Sequence, residues 1–390
     1  MSFIQPAQRI GQLPPQLFAR LIAATASLQA SGHDVINLGQ GNPDLPTPPH
    51  IVEAVKAAAD NPATHRYSPF SGLSVLKEAV AGWYAREHGV ALDPEAEVCI
   101  LIGAKLGLQE ISLCLLDEGD ICLMPDPGYP DYWSGVALAG GRQHPMKLLP
   151  ENGFLPDLDS IPKDVAEAAK LMFLNFPTNP TGAVAGPEFF QKAVEFAREH
   201  RIAVAHDFAY GDLVFDGRKR ISFLQIPGAK EVGVEFCTLS KSYNMAGWRI
   251  GFVAGNREII RTLNLIQDHL NCSQWAAIQL AAVAALTGPQ DCVRELCAEY
   301  QRRRDAWVAA AQAIGWQITP PSGSFFVWCP VPKSFTSLSF ADLLLKQCHV
   351  VVAPGAGFGA AGEGYVRVSL TTTPERLQEA AQRIARLAVF

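Results

Sequence analysis

Lys241 lies between two hydroxyl-bearing residues, and an arginine follows eight positions later in the stretch TLSKSYNMAGWRIG. Thr238, Ser240 and Arg249 are donors suited to the oxygens of a phosphate group. A lysine at the end of an apolar strand is usually a solvated surface residue, but desolvation and a nearby arginine would lower the pKa of its amine. A neutral amine is a nucleophile toward a carbonyl group. The stretch therefore predicts a phosphate site that also holds a reactive lysine.

Further polar motifs directly follow predicted strands. Taken alone, each is typical of an ordinary feature: a strand-to-helix turn, a proline turn, an Asx-type turn or a helix N-cap. Small residues at the start of a helix also let backbone N–H groups reach an anion, and a carboxylate at the end of a buried strand needs a partner. The candidate residues are Gly103, Ala104 and Lys105 in GAK, Tyr129 in DPGYP, Asn179 in NFPTNPTG, and Asp207 with Tyr210 in DFAY.

An aldehyde cofactor with a phosphate, a ring nitrogen and a phenolic oxygen would use all of these groups. Its phosphate would meet the hydroxyls, the arginine and the amides at the helix start, and its aldehyde would meet Lys241. Asp207 would bind the protonated ring nitrogen. The phenolic oxygen would meet Tyr210 and Asn179, and the ring would rest on the tyrosine of DPGYP. That cofactor is pyridoxal phosphate, which acts as an electron sink.

Short apolar strands alternate with amphipathic helices from about residue 95 to 255. Strands that are apolar throughout and joined by helices predict a mostly parallel sheet covered on both faces. Such sheets bind ligands beyond the carboxyl ends of their strands, where the motifs above fall. The predicted strands are 98–102, 121–124, 170–174, 202–205, 234–239 and 250–254, and the helices singled out between them are 105–116 and 188–199.

The remainder of the chain predicts a smaller α+β domain. A helix at 15–31 and the Pro-rich GQGNPDLPTPP are expected to pack against its C-terminal part. The fold class is therefore α/β, with a large domain at 50–285 and a small domain made of 1–49 with 286–390. The predicted elements after the sheet are helices 257–269, 275–286 and 289–314, strands 324–328, 350–353 and 365–370, and a closing helix 374–387.

The composition argues against several classes of protein. A formal net charge of −6 over 390 residues gives no basic footprint for nucleic acid. The N-terminus lacks the pattern of a secretory signal, and the most apolar stretch, 275–286, is too short to span a bilayer. Nine cysteines without CxxC pairs predict reduced thiols in a cytoplasmic protein. His206 has no second ligand at metal spacing, so we expect a core histidine and no metal site.

Three motifs occur in an order typical of one enzyme family: N-x-P-x-N-P-T-G at 175–182, D-x-A-Y at 207–210 and S-K-x(7)-R at 240–249. With them, the chain resembles a fold-type I, pyridoxal-phosphate-dependent aminotransferase of class I/II over essentially its whole length. The resemblance implies ping-pong transfer of an amino group between an amino acid and a 2-oxo acid. It also implies that Lys241 forms the Schiff base with the cofactor and then moves the substrate proton as general base and acid.

The resemblance assigns residues outside these motifs as well. Arg367 in YVRVSL would clamp the substrate α-carboxylate, and Gly41 in LGQGNPD would lie near it. Asn179 would touch both the cofactor and the carboxylate. Tyr67 in RYSPFSG would reach the phosphate of the neighbouring subunit's cofactor. The resemblance therefore implies a homodimer with active sites at the subunit interface.

Within the family, stretches such as INLGQGNPDLPTPPHIVEAV and HDFAYGDLVFDG most resemble bacterial methionine-salvage aminotransferases, which aminate 4-methylthio-2-oxobutanoate with glutamine and related donors. No second arginine for a distal carboxylate is evident, and Phe18, Trp133 and Phe325 are either apolar walls for a thioether or core residues. Alternatives on the same scaffold are alanine, aspartate and diaminopimelate aminotransferases and β-C–S lyases. An effector-binding regulator built on this fold is disfavoured by the acidic charge.

Overall fold

Apolar runs in the middle of the chain form the strands of one large sheet, and the two ends of the chain form a second core. The computed structural model describes residues 4–13 and 22–390, and the backbone alone of 17–21. The helices are α1 (Leu17–Ala30), α2 (Pro49–Ala59), α3 (Ser74–His88), α4 (Ala104–Leu115), α5 (Pro130–Ala139), α6 (Lys163–Ala168), α7 (Pro187–His200), α8 (Ala229–Val232), α9 (Leu239–Ser242), α10 (Arg257–Leu270), α11 (Ala276–Thr287), α12 (Asp291–Ala313), α13 (Ser337–Leu343) and α14 (Pro374–Ala385). The strands are β1 (Ile36–Asn37), β2 (Val98–Leu101), β3 (Ile121–Asp126), β4 (Arg142–Lys147), β5 (Ala169–Asn175), β6 (Ala203–Asp207), β7 (Gly233–Thr238), β8 (Gly251–Gly255), β9 (Phe326–Pro330), β10 (Val350–Val351), β11 (Ala353–Pro354) and β12 (Tyr365–Ser369).

The large sheet is mixed and mostly parallel, in the order β2-β8-β7-β6-β5-β3-β4. β8 runs antiparallel to both of its neighbours, whereas the other adjacent pairs are parallel. The predicted strands of this sheet are found with shifts of one or two residues at their ends. The α/β class and the mostly parallel sheet are therefore confirmed.

Each central strand buries both of its faces. In β5, Leu171 and Phe173 join a core cluster with residues of α4, α5 and α10, whereas Met172 and Leu174 join a cluster with residues of α3, α7 and α11. Burial of each large apolar side chain stabilises the fold by about 1.5–3 kcal/mol. A slip of one residue would exchange the two faces, so this two-sided core fixes the register and with it the positions of the residues at the strand ends.

The apolar pattern does not predict β4. Its sequence, RQHPMK, is largely exposed, contains Pro145 and pairs on one side only, with β3. An edge strand tolerates proline and polar side chains because one of its two edges makes no hydrogen bonds within the sheet. A search for continuous apolar runs therefore misses it.

The second core draws on both ends of the chain. β1 pairs with β10, and β11, β12 and β9 form a three-stranded antiparallel sheet packed against α12, α13 and α14. Tyr210, Leu213 and Phe215, which follow β6, also reach into this cluster. The segment after β6 thus ties the large sheet to the second core. Residues 8–12, by contrast, lie against α5.

The cysteines and helices bear on two of the expectations from composition. All nine cysteines are free thiols, as predicted. None of the helices in the described part of the chain combines the length and the apolar character that crossing a membrane requires. α11, the most apolar of the predicted helices, packs against α2 and α3 instead.

Candidate active site

A cavity of about 510 Å³ lies where β6 and β7 end and the second core begins. Asp207 and Thr238 are the last residues of these strands, and Arg367 reaches the cavity from β12. All of the residues predicted to form the site line this cavity except Gly103 and Tyr67. The parallel strands bring Asn179, Asp207 and Thr238 together because their carboxyl ends lie at one edge of the sheet, whereas Gly41 and Arg367 come from outside it.

The hydroxyl pair and the arginine form a group of donors at the start of α4. Thr238 Oγ1 donates to Ser240 Oγ over 2.9 Å and accepts a hydrogen bond of 3.2 Å from the Ser240 N–H. The guanidinium of Arg249 lies against Gly103, where a Cβ atom would overlap Nη2. Gly103 also has a φ of +78°. Both the lack of space for a Cβ atom and this backbone conformation favour glycine here. The first N–H groups of α4 follow directly, and they favour an anion.

Lys105 and Tyr67 are placed differently from the other predicted residues. Lys105 turns its ammonium to Asp131, over 2.9 Å, so its backbone N–H is the group available to an anion. Tyr67 is 84% exposed and does not line the cavity of its own chain. Its assignment to the cofactor of a neighbouring subunit stays a prediction.

Lys241 extends into the cavity and is partly buried. Its Nζ donates to the backbone oxygen of Gly41 over 3.2 Å and lies 5.3 Å from the centre of the Phe325 ring. Desolvation, together with the charges of the nearby Arg367 and Arg249, lowers the pKa of Lys241 to about 8. The solvated-lysine interpretation is therefore wrong, and the amine is one that can act as a nucleophile or base.

The lowered pKa of Lys241 makes a testable difference to its reactivity. A group whose pKa is lowered loses its proton at lower pH, so in the cofactor-free protein the neutral amine should accumulate as the pH rises through about 8. An ordinary lysine becomes neutral only near pH 10.4. We expect brief labelling with acetic anhydride, read by mass spectrometry of the peptide that contains Lys241, to show a midpoint near pH 8. A midpoint at the ordinary value would contradict the electrostatics described here, and Lys241→Arg provides the unlabelled control.

Asp207 is a buried carboxylate, 5% exposed, at the end of β6. Tyr132 donates its hydroxyl to Oδ2 over 2.6 Å, and the Ala209 N–H donates to Oδ1 over 3.1 Å. Burial raises the pKa of Asp207, and the hydrogen bond from Tyr132 opposes that effect. No Lys, Arg or His side chain among the described residues forms a salt bridge with it. A buried carboxylate in this state gains most from a cationic ligand.

The local alternative for Asp207, an N-cap, is wrong. Asp207 is followed by a turn and not by a helix. Its contact with the Ala209 N–H is that of an Asx-type turn. Sequence reasoning also missed Tyr132, whose ring stacks on Phe173 at 4.8 Å between centroids. The available signal was its position three residues after Tyr129 at the start of α5, which places both tyrosines on one face of that helix.

Tyr129 and Tyr210 bring two aromatic rings to the cavity. Tyr129 packs edge-to-face on Tyr132, with 5.5 Å between ring centres. Tyr210 packs edge-to-face on Phe325 and Phe326, at 5.2 and 5.7 Å. Burial raises the pKa of both tyrosines, so each keeps a hydroxyl proton to donate.

Arg367 is 5% exposed and is held by neutral oxygen atoms. Nη1 donates to Asn179 Oδ1, and Nη2 donates to the backbone oxygen of Gly39, each over 2.8 Å. The guanidinium stacks on the Phe326 ring at 3.9 Å. Desolvation lowers the pKa of Arg367 to about 10, which leaves it cationic at neutral pH. A buried, oriented guanidinium of this kind suits a carboxylate ligand.

The apolar walls differ from those expected. Phe326 and Phe358 line the cavity, whereas Phe325 and Trp133 do not: Phe325 packs on Tyr210, and Trp133 is partly buried against the core cluster that includes residues of α4. The side chain of Phe18 lies outside the described residues. Gly41 lies against Phe326, since a Cβ atom there would come within 2.5 Å of the Phe326 ring. Sequence reasoning missed both wall residues because neither follows a strand of the large sheet.

His206 is a core histidine, as predicted. Its Nδ1 lies 2.9 Å from Glu235 Oε2, and both side chains are fully buried. Glu235 also accepts hydrogen bonds from Tyr84 and Ser222. These contacts hold the carboxylate charged and lower the pKa of Glu235, despite its burial. His206 therefore belongs to a buried polar network and not to the cavity.

Comparison with known proteins identifies the family. The chain matches the model for aminotransferases of class I and II over residues 33–384. An L-glutamine–4-(methylsulfanyl)-2-oxobutanoate aminotransferase of Bacillus subtilis is 56% identical over 97% of this chain and 95% of its own length. An LL-diaminopimelate aminotransferase of Moorella thermoacetica is 50% identical over 98% of each chain. The substrate-bound structure of BacF from Bacillus subtilis, 46% identical, matches with a TM-score of 0.96 over 100% of this chain and 98% of its own. The chain therefore belongs to the class I and II aminotransferases, enzymes that use pyridoxal phosphate.

Proposed function

We propose that the cavity binds pyridoxal phosphate through the residues that the sequence singled out. Thr238, Ser240, Arg249 and the start of α4 supply the donors that the phosphate needs. The buried carboxylate of Asp207, which has no salt bridge among the described residues, suits a protonated ring nitrogen. The amine of Lys241 suits the aldehyde. The donor set thus fits each polar part of the cofactor.

The chain's own residues would bind the amino acid and move its proton. When bound, the cofactor supplies a ring that takes up the negative charge developing at the Cα of the amino acid. Lys241 would remove the Cα proton and deliver it to C4′ of the cofactor, since a pKa of about 8 leaves part of the amine neutral near neutral pH. Arg367 would orient the α-carboxylate. Asn179 holds the guanidinium in place because its Oδ1 accepts a hydrogen bond from Nη1. Asp207 would keep the proton on the ring nitrogen.

The substrate we propose is an amino acid with an uncharged side chain, as in the interconversion of methionine and 4-methylthio-2-oxobutanoate with glutamine as donor. The observation that carries this proposal is the charge of the cavity wall. Among the described lining residues the cations are Lys105, Lys241, Arg249 and Arg367, and the acid is Asp207; each already has a partner or a role in the site. No charged side chain is left there for the distal carboxylate and ammonium of diaminopimelate or the distal carboxylate of aspartate.

The neutral part of the wall suits both members of the proposed pair. Phe326, Phe358 and Ile22 offer apolar surface to a thioether. Gln40 and Asn42 offer amides that can bind the neutral amide of glutamine. The similarity to the Bacillus subtilis glutamine-dependent enzyme supports the same assignment.

A homodimer would complete the site. Tyr67 is 84% exposed, and Phe70 and Trp275 are also exposed on the same chain, at 42% and 41%. Ser273 donates to the backbone oxygen of Ser68 over 2.8 Å, which links the segments that carry Tyr67 and Trp275. We propose that this surface meets a second copy and that Tyr67 reaches the phosphate there. Sedimentation equilibrium should give the mass of two chains, and a fully active monomer would contradict the proposal.

The substrate is tested by single half-reactions of the purified holoenzyme with one amino acid at a time. The panel is methionine, glutamine, alanine, aspartate, glutamate and LL-diaminopimelate, and the signal is the loss of the visible absorption band of the bound cofactor. We expect fast conversion with methionine and glutamine and conversion at least about tenfold slower with aspartate and diaminopimelate, because an unpaired charge in the cavity is costly.

The same panel separates the alternatives. Fastest conversion with aspartate or diaminopimelate would overturn the substrate while leaving the family unchanged. A β-C–S lyase would instead release a thiol from an S-alkylcysteine, such as S-methylcysteine added to the panel, and leave the cofactor band intact over repeated turnovers. Thiol titration and 2-oxo acid analysis of the same samples therefore distinguish lyase from transferase.

A further inference from the structure

The glycine-rich segment 355–362, GAGFGAAG, passes from the second core to the end of β3. It follows β11 and precedes β12. Its Ala356 N–H donates to Ser337 Oγ at the start of α13, and two further hydrogen bonds join it to the end of β3 and the turn that follows. The Gly128 N–H donates to the backbone oxygen of Phe358 over 2.7 Å. The Ala361 N–H donates to Asp126 Oδ1 over 3.0 Å. The segment is therefore attached to the large sheet by one backbone bond and one carboxylate.

Its glycines stand where this attachment leaves no room for a side chain. Gly359 has a φ of +126°, and a Cβ atom there would overlap Oδ1 of Asp126. A Cβ atom on Gly355 would overlap the backbone oxygen of Gly362. The unusual composition of the segment is thus explained by a fold that brings its backbone directly onto itself and onto a carboxylate.

The segment carries one large side chain into the cavity. Phe358 is fully buried, lies edge-to-face on Trp328 at 5.8 Å, and lines the cavity. Its ring centre lies 4.7 Å from the guanidinium carbon of Arg367. Phe358 precedes Gly359 in the chain, so whatever holds Gly359 also sets the position of this ring.

Asp126 is the one side chain that makes a hydrogen bond to this segment from β3. It is 8% exposed and forms no salt bridge among the described residues, although Lys147 lies opposite it on β4. Burial raises the pKa of Asp126, and the bond from Ala361 and the charge of Lys147 oppose the rise. A hydrogen bond to a carboxylate is stronger than one to a neutral oxygen, so this contact is suited to hold a short segment.

We propose that Asp126 is a positioning residue that holds segment 355–362 against the sheet and so sets Phe358 as the apolar wall of the substrate site, beside Arg367. Asp126 itself does not line the cavity. Asp126 would act on the position of the Phe358 ring through the backbone of residues 358–361. The proposal rests on the proposed use of amino acids with uncharged side chains.

The test compares methionine with alanine, whose side chain is too short to need the wall. We expect Phe358→Ala to lower the ratio of kcat/KM for methionine to kcat/KM for alanine about tenfold, the effect of losing apolar contact with a few carbon atoms. Asp126→Ala should lower the same ratio about threefold to tenfold, mainly through KM for methionine. Asp126→Asn keeps an acceptor oxygen for the Ala361 N–H and should stay within about twofold of wild type.

The double variant shows whether Asp126 acts through Phe358. In the Phe358→Ala background, Asp126→Ala should change the ratio no further, because coupled residues are non-additive. Additive effects, an equal loss for both amino acids, or an Asp126→Asn variant as impaired as Asp126→Ala would overturn the proposal. If Asp126→Ala does not fold, the test uses Gly359→Ala. This variant keeps Asp126, but the new Cβ atom at position 359 overlaps its Oδ1 and pushes the carboxylate away from the segment.

The wild-type enzyme keeps the two proposals apart. If it does not convert methionine, the substrate proposal fails, and the ratio is then measured with leucine or phenylalanine, whichever the wild type converts. If the wild type converts no long apolar amino acid, Phe358 is not a substrate wall and the role of Asp126 is overturned as well.

Discussion

Replacing Lys241 by alanine should lower kcat of the holoenzyme by about 10⁴-fold or more, because one amine both bonds the cofactor and carries the proton. The cavity offers no substitute among its described lining residues. Lys105 is the other lysine there, and its ammonium is paired with Asp131 over 2.9 Å. Steady-state assays with methionine as donor and a 2-oxo acid as acceptor measure the loss.

Two further variants separate the base from the charge. Lys241→Arg keeps a cation in the cavity but cannot lose its proton, so it should be as inactive as Lys241→Ala. Lys56→Ala removes an exposed lysine that pairs with Glu53 on the surface, and it should match wild type. Turnover of Lys241→Arg within about tenfold of wild type would mean that no neutral amine is needed at this position.

Asp207→Asn should lower kcat by about 10²–10³-fold, the usual cost of removing one oriented electrostatic contact from a reaction centre. The substitution keeps an acceptor for Tyr132 or Ala209 but removes the negative charge. A neutral amide cannot hold a proton on the ring nitrogen, so the ring takes up less charge from the amino acid Cα. Cofactor affinity, measured by dialysis and absorbance, should fall in parallel.

Stability provides an independent readout for Asp207. In the cofactor-free protein the carboxylate is buried, and burial raises its pKa. Removing the charge should leave the free energy of unfolding unchanged or higher, as for any buried charge that lacks a counter-ion. Asp159→Asn, at an exposed carboxylate that pairs with Lys192, is the matched control. Full activity of Asp207→Asn would contradict the proposed contact with the ring nitrogen.

Residues next to strand ends could be predicted from the sequence because their chemistry and their position are encoded together. Lys241 and Asp207 each follow an apolar run within a few residues, and the parallel sheet brings such ends to one edge. The same reasoning recovered Asn179, whose loop follows β5. The sheet itself could be predicted because its central strands are buried on both faces and so read as continuous apolar runs.

Residues placed by distant contacts could not be predicted in this way. Phe358 lies on segment 355–362, which contacts Asp126 and Gly128 at the end of β3, more than two hundred positions earlier. β4 is an exposed edge strand with a proline, which gives it no apolar signal. The division into a large domain at 50–285 and a small domain from the rest stays a prediction.

The central claim is that Lys241 is the residue that bonds the cofactor aldehyde. The direct measurement is reduction of the purified holoenzyme with borohydride, followed by protease digestion and mass spectrometry, since reduction makes the bond between lysine and cofactor permanent. We predict that the phosphopyridoxyl mass is found on the peptide that contains Lys241. Its presence on Lys105 or any other lysine, or its absence from a holoenzyme that retains the cofactor, would contradict the account.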